Sequence, residues 1–300
     1  MKPSNWLIIL VLTIGVLAIS TGAILIRLAS LSARMSGIEF SLVIAASRVA
    51  IASLLLVPTW SKIKWQNIEL RAILYAGAAG VCLAAHFVLW VTSLSYTSIA
   101  ASTALVTTNP IWVALLSWWW LKERLSRRTV IGILVAMTGG LIIGLADIGG
   151  VTTGNNPVLG NFLALVGAWA SSLYIFLGYQ ARTKGFGIGG YIVVVYTIAA
   201  IVLLPVPFVS GVGYFGYSGS VYFYLLLMGL LPQLIGHTSL NWAMGWVSPT
   251  LVTLAVLFEP VGASFLGYLL FGEVPSLITL LGAVILLIGV AVAALSSQKK

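Results

Sequence analysis

The sequence contains very little charge. Of its 300 residues only 7% are Asp, Glu, Lys or Arg, whereas an average soluble domain carries about 25%. Hydrophobic residues make up 60% of the chain, so there is too little polar material to cover a globule in water. This composition excludes a soluble domain. It also excludes a disordered chain, because disorder requires low hydrophobicity together with high net charge.

Cysteine, long loops and phosphate-binding motifs are also scarce. The single cysteine, Cys82, can form no intrachain bridge, which excludes a disulfide-rich secreted module. The segments between apolar stretches are short, and no Gly-rich loop ending in Lys-Ser or Lys-Thr is present. We therefore do not expect an ATP-driven pump on this chain alone. Coupling to transport would have to come from an ion or solute gradient.

Apolar stretches long enough to cross a membrane are abundant. A spanning helix needs roughly 20 mostly apolar residues, and the runs here are continuous and too long for barrel strands of about ten residues. We predict an all-α integral membrane protein with ten transmembrane helices. The predicted spans are residues 6–29, 40–60, 72–95, 98–121, 129–146, 159–180, 188–209, 221–245, 249–271 and 276–295.

The charge that is present is mostly of one sign. The 15 Lys and Arg against 6 Asp and Glu give a net charge of +9, which in a soluble protein would indicate nucleic-acid binding. In a membrane protein, Lys and Arg instead mark the cytoplasmic loops. With the N-terminus inside and ten crossings, twelve of the 15 cations lie on the inner side and Arg34 alone lies in an outer loop. The pattern predicts a multi-pass protein of the inner (plasma) membrane, with lipid rather than nucleic acid around it. Both termini, which carry Lys2, Lys299 and Lys300, are expected in the cytoplasm.

The sequence contains a weak copy of itself at an offset of 150 residues. Residues 98–139 and 248–289 share ten identical positions without a gap, beginning with Ser98 and Ser248. The Pro, Glu and Gly identities are the most informative, since Leu and Val pairs arise easily by chance in apolar sequences. These identities are Pro110/Pro260, Glu123/Glu273, Gly132/Gly282 and Gly139/Gly289.

The repeat predicts two halves of five helices each, residues 1–150 and 151–300. Because five is an odd number, the second half would be inverted in the membrane. Inverted repeats are typical of secondary transporters, since a two-fold relation supplies two similar states that open to opposite sides. Gene duplication in a structural membrane protein is the alternative.

Two segments also resemble a known family. They are LWVTSLSYTSIAASTALVTTNPIWVALLSWWWLKERLS at 89–126 and, less completely, WVSPTLVTLAVLFEPVGASFLGYLLFGEVPS at 246–276, where Val274 and Pro275 replace Arg124 and Leu125. The first resembles the signature of EamA-type transporters of the drug/metabolite transporter (DMT) superfamily. That signature joins a start rich in small residues to a mid-helix proline and a terminal Glu-Arg-Leu. The resemblance covers the whole chain. It implies a ten-helix inverted-repeat fold around a central cavity, and export of amino acids, related metabolites or drugs.

Polar side chains deep within the apolar stretches are the candidates for a substrate site. Glu259 lies near the middle of helix 9, where an unpaired carboxylate costs several kcal/mol, and Asn109 is its counterpart in helix 4. Each is followed by a proline, Pro260 or Pro110, which can kink the helix and free a backbone carbonyl. Glu259 is predicted to bind a substrate ammonium or a coupling proton. The alternative is a protonated group that is hydrogen-bonded inside the bundle.

An arginine deep within a membrane-spanning helix also requires a partner, because its guanidinium does not readily lose its proton. Arg48 lies deep in helix 2. A salt bridge to Glu259, a substrate carboxylate and backbone carbonyls are three possible partners for it. Arg27, near the outer end of helix 1, is expected to anchor the chain at the membrane interface.

Histidines and aromatic residues complete the predicted site. His86 and Trp90 are four residues apart and share a face of helix 3, and His237 and Asn241 have the same spacing on helix 8. Aromatic cavity walls suit amphipathic or aromatic ligands through stacking and cation–π contact, although ordinary packing is the alternative. The remaining aromatic candidates are Trp169, Tyr174, Tyr196 and Trp242.

We therefore expect a secondary transporter that exports amino acids or related small metabolites by alternating access, with protons as the suggested coupling ion. We expect no metal and no cofactor, since no Cys or carboxylate stands at ligand spacing beside either histidine. A carrier or uptake permease for another class of solute is the alternative. A channel or an intramembrane enzyme is a weaker one, because the sequence offers no nucleophile–base pair or metal cluster at depth. The oligomeric state is left open.

Overall fold

The computed structural model describes residues 3–120, 122, 126–148, 155–247 and 249–297, and every regular element within these ranges is a helix. Several residues used for the topology, repeat and family predictions lie outside the described residues. These are Lys2, Glu123, Arg124, Leu125, Ser248, Lys299 and Lys300.

The described residues of the first half form seven α-helices. Four of them form two end-to-end pairs across short breaks, α1 with α2 and α5 with α6. Two short 3-10 turns, Val57–Lys62 and Trp65–Asn67, connect α3 to α4. The helices are α1 (Asn5–Ser20), α2 (Gly22–Ala33), α3 (Ile38–Leu55), α4 (Leu70–Ser93), α5 (Ile99–Val106), α6 (Asn109–Trp120) and α7 (Arg127–Ile148).

The described residues of the second half form eight α-helices and one π-helical segment, Gly229–His237, which joins α11 to α12. The helices are α8 (Pro157–Thr183), α9 (Ile188–Leu203), α10 (Val206–Val209), α11 (Gly219–Met228), α12 (Thr238–Ala243), α13 (Pro249–Val256), α14 (Glu259–Phe271) and α15 (Leu277–Ser297).

Seven helical segments of the described chain are long and apolar enough to cross a membrane. They are Asn5–Ala33, Ile38–Leu55, Leu70–Ser93, Ile99–Trp120, Pro157–Thr183, Ile188–Val209 and Gly219–Ala243. Leu277–Ala293 is a shorter apolar helix, and helical residues also occupy the predicted stretches 129–146 and 249–271. The helices are those of a multi-pass membrane protein, whereas the count of ten spans stays a prediction.

The outer surface of the bundle is apolar. Large hydrophobic side chains such as Trp6, Leu17, Leu141, Phe162 and Leu277 are more than half exposed. An exposed apolar surface of this extent is unfavourable in water and fits contact with lipid tails. The buried interior combines large apolar side chains such as Phe40 and Phe87 with small residues and polar groups such as Arg48.

The core is built around α4, which packs against α8, α9 and α3. Its inner face is a stripe of fully buried small residues that includes Ala72, Ala76 and Ala79. A Cβ atom built on Gly80 of the same face would lie 2.8 Å from the Cβ atom of Ile198 in α9. Small residues therefore let the central helices approach closely, as is typical of packing in membranes.

The repeat-related helices α7 and α15 form the tightest contact, and they run antiparallel. Gly132 of α7 meets Gly289 of α15, and Gly139 meets Gly282. A Cβ atom on Gly132 would lie 2.7 Å from the Gly289 backbone oxygen, and one on Gly139 would lie 2.6 Å from the Gly282 oxygen. Any side chain at these positions would force the two backbones apart. The sequence repeat thus places identical glycines at both sides of one interface.

Glu273, just beyond α14, connects three helices at one end of the bundle. Its Oε1 atom accepts a hydrogen bond from the backbone N–H of Ile99 at the start of α5 (2.8 Å). Its Oε2 atom lies 3.8 Å from Nη1 of Arg27 in α2, and Nη2 of Arg27 donates to the Leu94 carbonyl (3.3 Å). Arg27 therefore has partners within the protein, and its position at the membrane interface stays a prediction.

Candidate functional site

A buried cavity lies where the broken helices meet. Its volume is about 60 Å³, several times the roughly 10–15 Å³ that one water molecule needs. Eight of the eleven predicted site residues line it. They are Arg48, His86, Trp90, Asn109, Tyr174, His237, Asn241 and Glu259.

Two helix breaks bring polar groups to this cavity. The helix formed by α5 and α6 is interrupted at Thr107 and Thr108, and the helix formed by α13 and α14 is interrupted at two residues in the same relative position. The following half-helices begin at Asn109 and Glu259, with Pro110 and Pro260 as their second residues. Proline is well accommodated there, because the first N–H groups of a helix have no intrahelical partner. Each half-helix therefore presents its N-terminal end and one polar side chain to the cavity wall.

Asn109 is satisfied by its surroundings. When its amide is oriented so that both its oxygen and its nitrogen are satisfied, the nitrogen donates to the carbonyl oxygens of Val106 (3.2 Å) and Ala168 (3.0 Å). Val106 is the last residue of α5 and Ala168 belongs to α8, so the amide bridges the helix break and a neighbouring helix. Asn109 thus has the contacts of a structural residue, although it also reaches the cavity.

Glu259 is buried but has no such partner. Only 8% of the residue is exposed, and it accepts no hydrogen bond from the residues that the structure describes. Buried carboxylates normally have such partners, because leaving one without them is costly. The carboxylate therefore has unused acceptor capacity at the cavity wall, where its charge is attracted by that of Arg48.

Arg48 is fully buried and is fixed from two sides. Its Nε atom donates to Oε1 of Gln233 (3.0 Å), and its Cζ atom lies 3.9 Å from the centre of the Phe87 ring. Its Nη1 and Nη2 atoms have no partner among the described residues. The described residues also show no salt bridge between Arg48 and Glu259, which was one of the three partners considered for the arginine.

The two histidines lie on either side of Phe87. Nδ1 of His86 donates to the Gly167 carbonyl (2.9 Å), because a carbonyl oxygen can only accept. The His86 ring stacks on Trp90 with 6.1 Å between ring centres, and the His237 ring meets Phe87 edge-on at 5.4 Å. Both rings therefore form part of the aromatic wall. Within the described ranges, no three His, Cys, Asp or Glu side chains gather in a way that would hold a metal ion.

Asn241 and Tyr174 form a second polar group in the wall. Nδ2 of Asn241 donates to the Tyr174 hydroxyl (2.6 Å) and to the His237 carbonyl (2.7 Å). Oδ1 of Asn241 is buried and has no partner among the described residues. The wall therefore contains an unused acceptor here, in contrast to the unused donors of Arg48.

Three predicted residues, Trp169, Trp242 and Tyr196, are not part of the lining. Trp169 is 46% exposed and stands two positions before Ser171, which lines the cavity. Two positions along an α-helix turn a side chain by about 200°, so Trp169 points outwards. Trp242 packs against Trp246, with 6.1 Å between ring centres, and is not part of the lining. The prediction that these two tryptophans form the cavity wall is therefore corrected. Tyr196 is fully buried, with its hydroxyl 3.4 Å from the Gln233 carbonyl.

Gln233 is the main residue that sequence reasoning missed. It is fully buried and lies in the π-helical segment, directly after Pro232. A π-turn inserts an extra residue and is frequent at functional sites. A glutamine next to a proline within a helical pattern was the available signal. Gln233 reaches the site through Arg48 and is not itself in the lining, whereas Thr107, Ser171 and Thr253 line the cavity and were not predicted.

A bundle of apolar helices with a buried polar cavity at two helix breaks has the architecture of a membrane transporter. Comparison with known proteins agrees. The model of the EamA-like transporter family matches residues 4–145 and again residues 158–295. The chain therefore belongs to the EamA-like transporter family and to the DMT superfamily that includes it. The family describes a transporter rather than an enzyme.

Two individual proteins that match this chain are less than 30% identical to it. The chain is 29% identical over 205 residues to the uncharacterized transporter YdfC of Bacillus subtilis, and the match covers 67% of this chain and 64% of that protein. It is 27% identical over 212 residues to an uncharacterized transporter of Clostridium kluyveri, with 69% and 67% covered. A solved crystal structure of a protein with 18% sequence identity superimposes with a TM-score of 0.63 and covers 99% of this chain and all of the other. That likeness concerns the fold alone.

Proposed function

We propose that the protein is a secondary carrier that exports amino acids or related small metabolites by alternating access. The observation that carries the proposal is the cavity itself. It is buried and lies at the breaks of two helices. Its wall contains a carboxylate that accepts no hydrogen bond from the described residues (Glu259) and a guanidinium whose Nη1 and Nη2 have no partner among them (Arg48). Unwound helices at a buried site are the typical build of secondary transporters, and a wall with both charges suits a small solute that carries both.

We further propose ten transmembrane helices in two inverted repeats, residues 1–150 and 151–300, in the inner membrane with cytoplasmic termini. Two observations support this. The family model matches the chain twice, once in each half, and the equivalent helices α7 and α15 pack antiparallel through equivalent glycines. A two-fold axis in the membrane plane produces that antiparallel pairing.

Glu259 is the proposed coupling site. A carboxylate at this depth exists either charged beside a cation or neutral after taking up a proton. If binding of the solute and protonation compete for the same carboxylate, inward proton movement drives the solute outwards. The absence of a hydrogen-bond partner for Glu259 within the described chain leaves it available for both.

Counterflow in proteoliposomes tests the carrier proposal. Vesicles loaded with an unlabelled amino acid mixture should accumulate each transported labelled amino acid transiently, saturably and without ATP. A pore would instead give ion conductance and no counterflow. If neither amino acids nor related metabolites show counterflow, the proposed substrate class is wrong.

Two variants of α8, one at a tyrosine and one at a tryptophan, form a test and its matched control. Tyr174→Ala removes a cavity side chain that is bound to Asn241, and should reduce counterflow by at least about tenfold. Trp169→Ala removes a larger side chain from the exposed face of the same helix, and should leave counterflow close to that of the wild type. Equal losses in both variants would show that the cavity is not the path of the solute.

A further inference from the structure

We infer that the cavity recognises its solute by a free carboxylate group, which binds end-on to Nη1 and Nη2 of Arg48. This inference rests on the proposed carrier function and specifies which part of the solute is obligatory. An amino acid would be accepted, whereas the corresponding ester or the amine without its carboxylate would be rejected.

Arg48 has two nitrogen atoms without a hydrogen-bond acceptor among the described residues. Arg48 is fully buried, and a guanidinium keeps its positive charge under ordinary conditions. A buried charge is costly unless it is paired and hydrogen-bonded. Yet both Nη atoms are without a partner in the described part of the chain, and Gln233, which is neutral, supplies the one side-chain hydrogen bond, at Nε. The charge of Glu259 attracts Arg48 from across the cavity, but among the described residues no anion reaches hydrogen-bond distance of Nη1 or Nη2.

Other buried donors near Arg48 also have no hydrogen-bond partner among the described residues. The buried side-chain atoms without partners around Arg48 are nitrogen donors, Nε1 of Trp90 and Nε2 of Gln233 in addition to the two Nη atoms. Arg48 and Trp90 both line the cavity, with Cζ of Arg48 5.8 Å from the Trp90 ring. A cluster of donors around a cation fits a group that only accepts hydrogen bonds. The unused acceptors of the cavity, on Asn241 and Glu259, fit the ammonium group of the same solute.

The geometry of the Arg48 guanidinium leaves one edge for a ligand. A carboxylate is planar and takes two parallel N–H bonds from a guanidinium. Gln233 occupies Nε and Phe87 covers one flat face at 3.9 Å, so the edge formed by Nη1 and Nη2 is the edge left for a ligand. Gln233 is therefore a positioning residue, which orients the guanidinium without neutralising it.

Competition in the counterflow assay tests the requirement for a carboxylate. An amino acid that shows counterflow is competed with its methyl ester and with its decarboxylated amine, on the purified full chain in proteoliposomes. The unlabelled amino acid should compete at least tenfold better than either analogue. Equal competition by the amine would overturn the inference while the carrier function stands.

Binding to the purified protein separates the two ideas if amino acids show no counterflow. Carboxylates without an amino group, such as short-chain fatty acids, should then still raise the melting temperature of the wild-type protein, which would support the Arg48 site and reject the amino-acid proposal. No stabilisation by any carboxylate would overturn the inference. Equal stabilisation by chloride or sulfate would also overturn it, because the site would then hold an inorganic anion.

Variants at Gln233 and Arg48 locate the site. Gln233→Glu keeps the acceptor for Nε but compensates the positive charge, so the preference for a free carboxylate should fall at least tenfold and competition by the amine should rise. A purely structural role of Gln233 would not reverse the selectivity. Arg48→Lys keeps the charge but loses the two-pronged edge, and should weaken competition by the carboxylate about tenfold or more. If Gln233→Glu folds and keeps the wild-type selectivity, Arg48 is not the carboxylate site.

Discussion

The two halves of the molecule share a helix break and differ in the side chain placed there. In the first half α6 begins with Asn109 and Pro110, and in the second half α14 begins with Glu259 and Pro260. The amide of Asn109 is bonded to two carbonyl oxygens of the protein. The carboxylate of Glu259 receives no hydrogen bond from the described residues. Both halves therefore have the helix break. The side chain at the break has hydrogen-bond partners in the first half, whereas in the second half it has none among the described residues.

A second pair of equivalent positions shows the opposite behaviour. Where α7 meets α15, each half supplies the same two glycines, and all four are in backbone contact. Close packing of two equivalent helices sets the same steric limit on both. The cavity wall sets no such limit, because the side chains at the two helix breaks do not pack against each other through their backbones. The proposed solute, with an ammonium and a carboxylate group, would be matched best by a wall with two different sides.

The largest expected effect belongs to the free carboxylate. Glu259→Gln removes the group that can change its charge, so transport driven by a pH gradient should fall at least about a hundredfold, to the level of protein-free vesicles. Counterflow without a pH gradient should persist in part, since the cavity keeps its shape. The measurement is flux of a labelled amino acid with and without an imposed gradient.

Glu273→Gln is the matched control for that experiment. It is the same substitution just beyond the far end of the same helix, where the carboxylate binds Ile99 and Arg27. Gradient-driven transport should survive it. If Glu259→Gln keeps the pH-driven flux, or if both variants lose it equally, Glu259 is not the coupling site.

The next effect concerns the positions at which the halves are alike. Gly139→Ala and Gly289→Ala each place a methyl group against backbone of the opposite helix, and each should lower the free energy of unfolding by about 1–3 kcal/mol. Gly140→Ala is the control, because its Cβ atom would meet the nearest side chains at 3.9 Å, an ordinary contact. Thermal unfolding of the purified protein measures all three. A much smaller cost at Gly289 than at Gly139 would mean that the interface is not symmetric.

Much of this architecture could be predicted because its causes are local. Length and apolar composition place the helices, and a charged or amide side chain inside an apolar stretch is conspicuous, so Arg48, Asn109 and Glu259 were found. Trp169 and Trp242 were misplaced, because a tryptophan is equally suited to lipid and to a cavity and only the helical phase decides. Both errors concern the direction in which the tryptophan side chain points from its helix, and amino-acid composition does not determine that direction.

Other features depend on contacts between distant parts of the chain. Gln233 is a strong residue for the site because a π-helical turn brings it to Arg48, almost two hundred residues earlier in the sequence. A periodicity of 3.6 residues does not describe that turn. The contact of Arg27 with Glu273 joins the two halves in the same way. Such pairings follow from the assembled bundle and leave no pattern in either segment.

A smaller effect is expected at the satisfied amide. Asn109→Ala leaves the Val106 and Ala168 carbonyl oxygens without their partner, which should cost about 1–2 kcal/mol of stability. Glu259→Gln, by contrast, should leave the melting temperature unchanged or raise it, because the carboxylate contributes no hydrogen bond within the described chain. Thermal unfolding of both variants tests the contrast between a structural and a functional residue. A larger loss of stability in Glu259→Gln than in Asn109→Ala would contradict it.

The smallest effect is expected at the prolines. Pro110 and Pro260 are each the second residue of a half-helix, where the N–H that proline lacks would have no intrahelical partner. Pro110→Ala and Pro260→Ala should each change stability by less than about 1 kcal/mol, and both should keep most of the counterflow. The reason is that alanine restores an N–H but does not remove the contacts that hold the break open, such as the bonds of the Asn109 amide. If Pro260→Ala alone abolishes counterflow, the break beside Glu259 depends on its proline and the two halves differ in backbone as well as in chemistry.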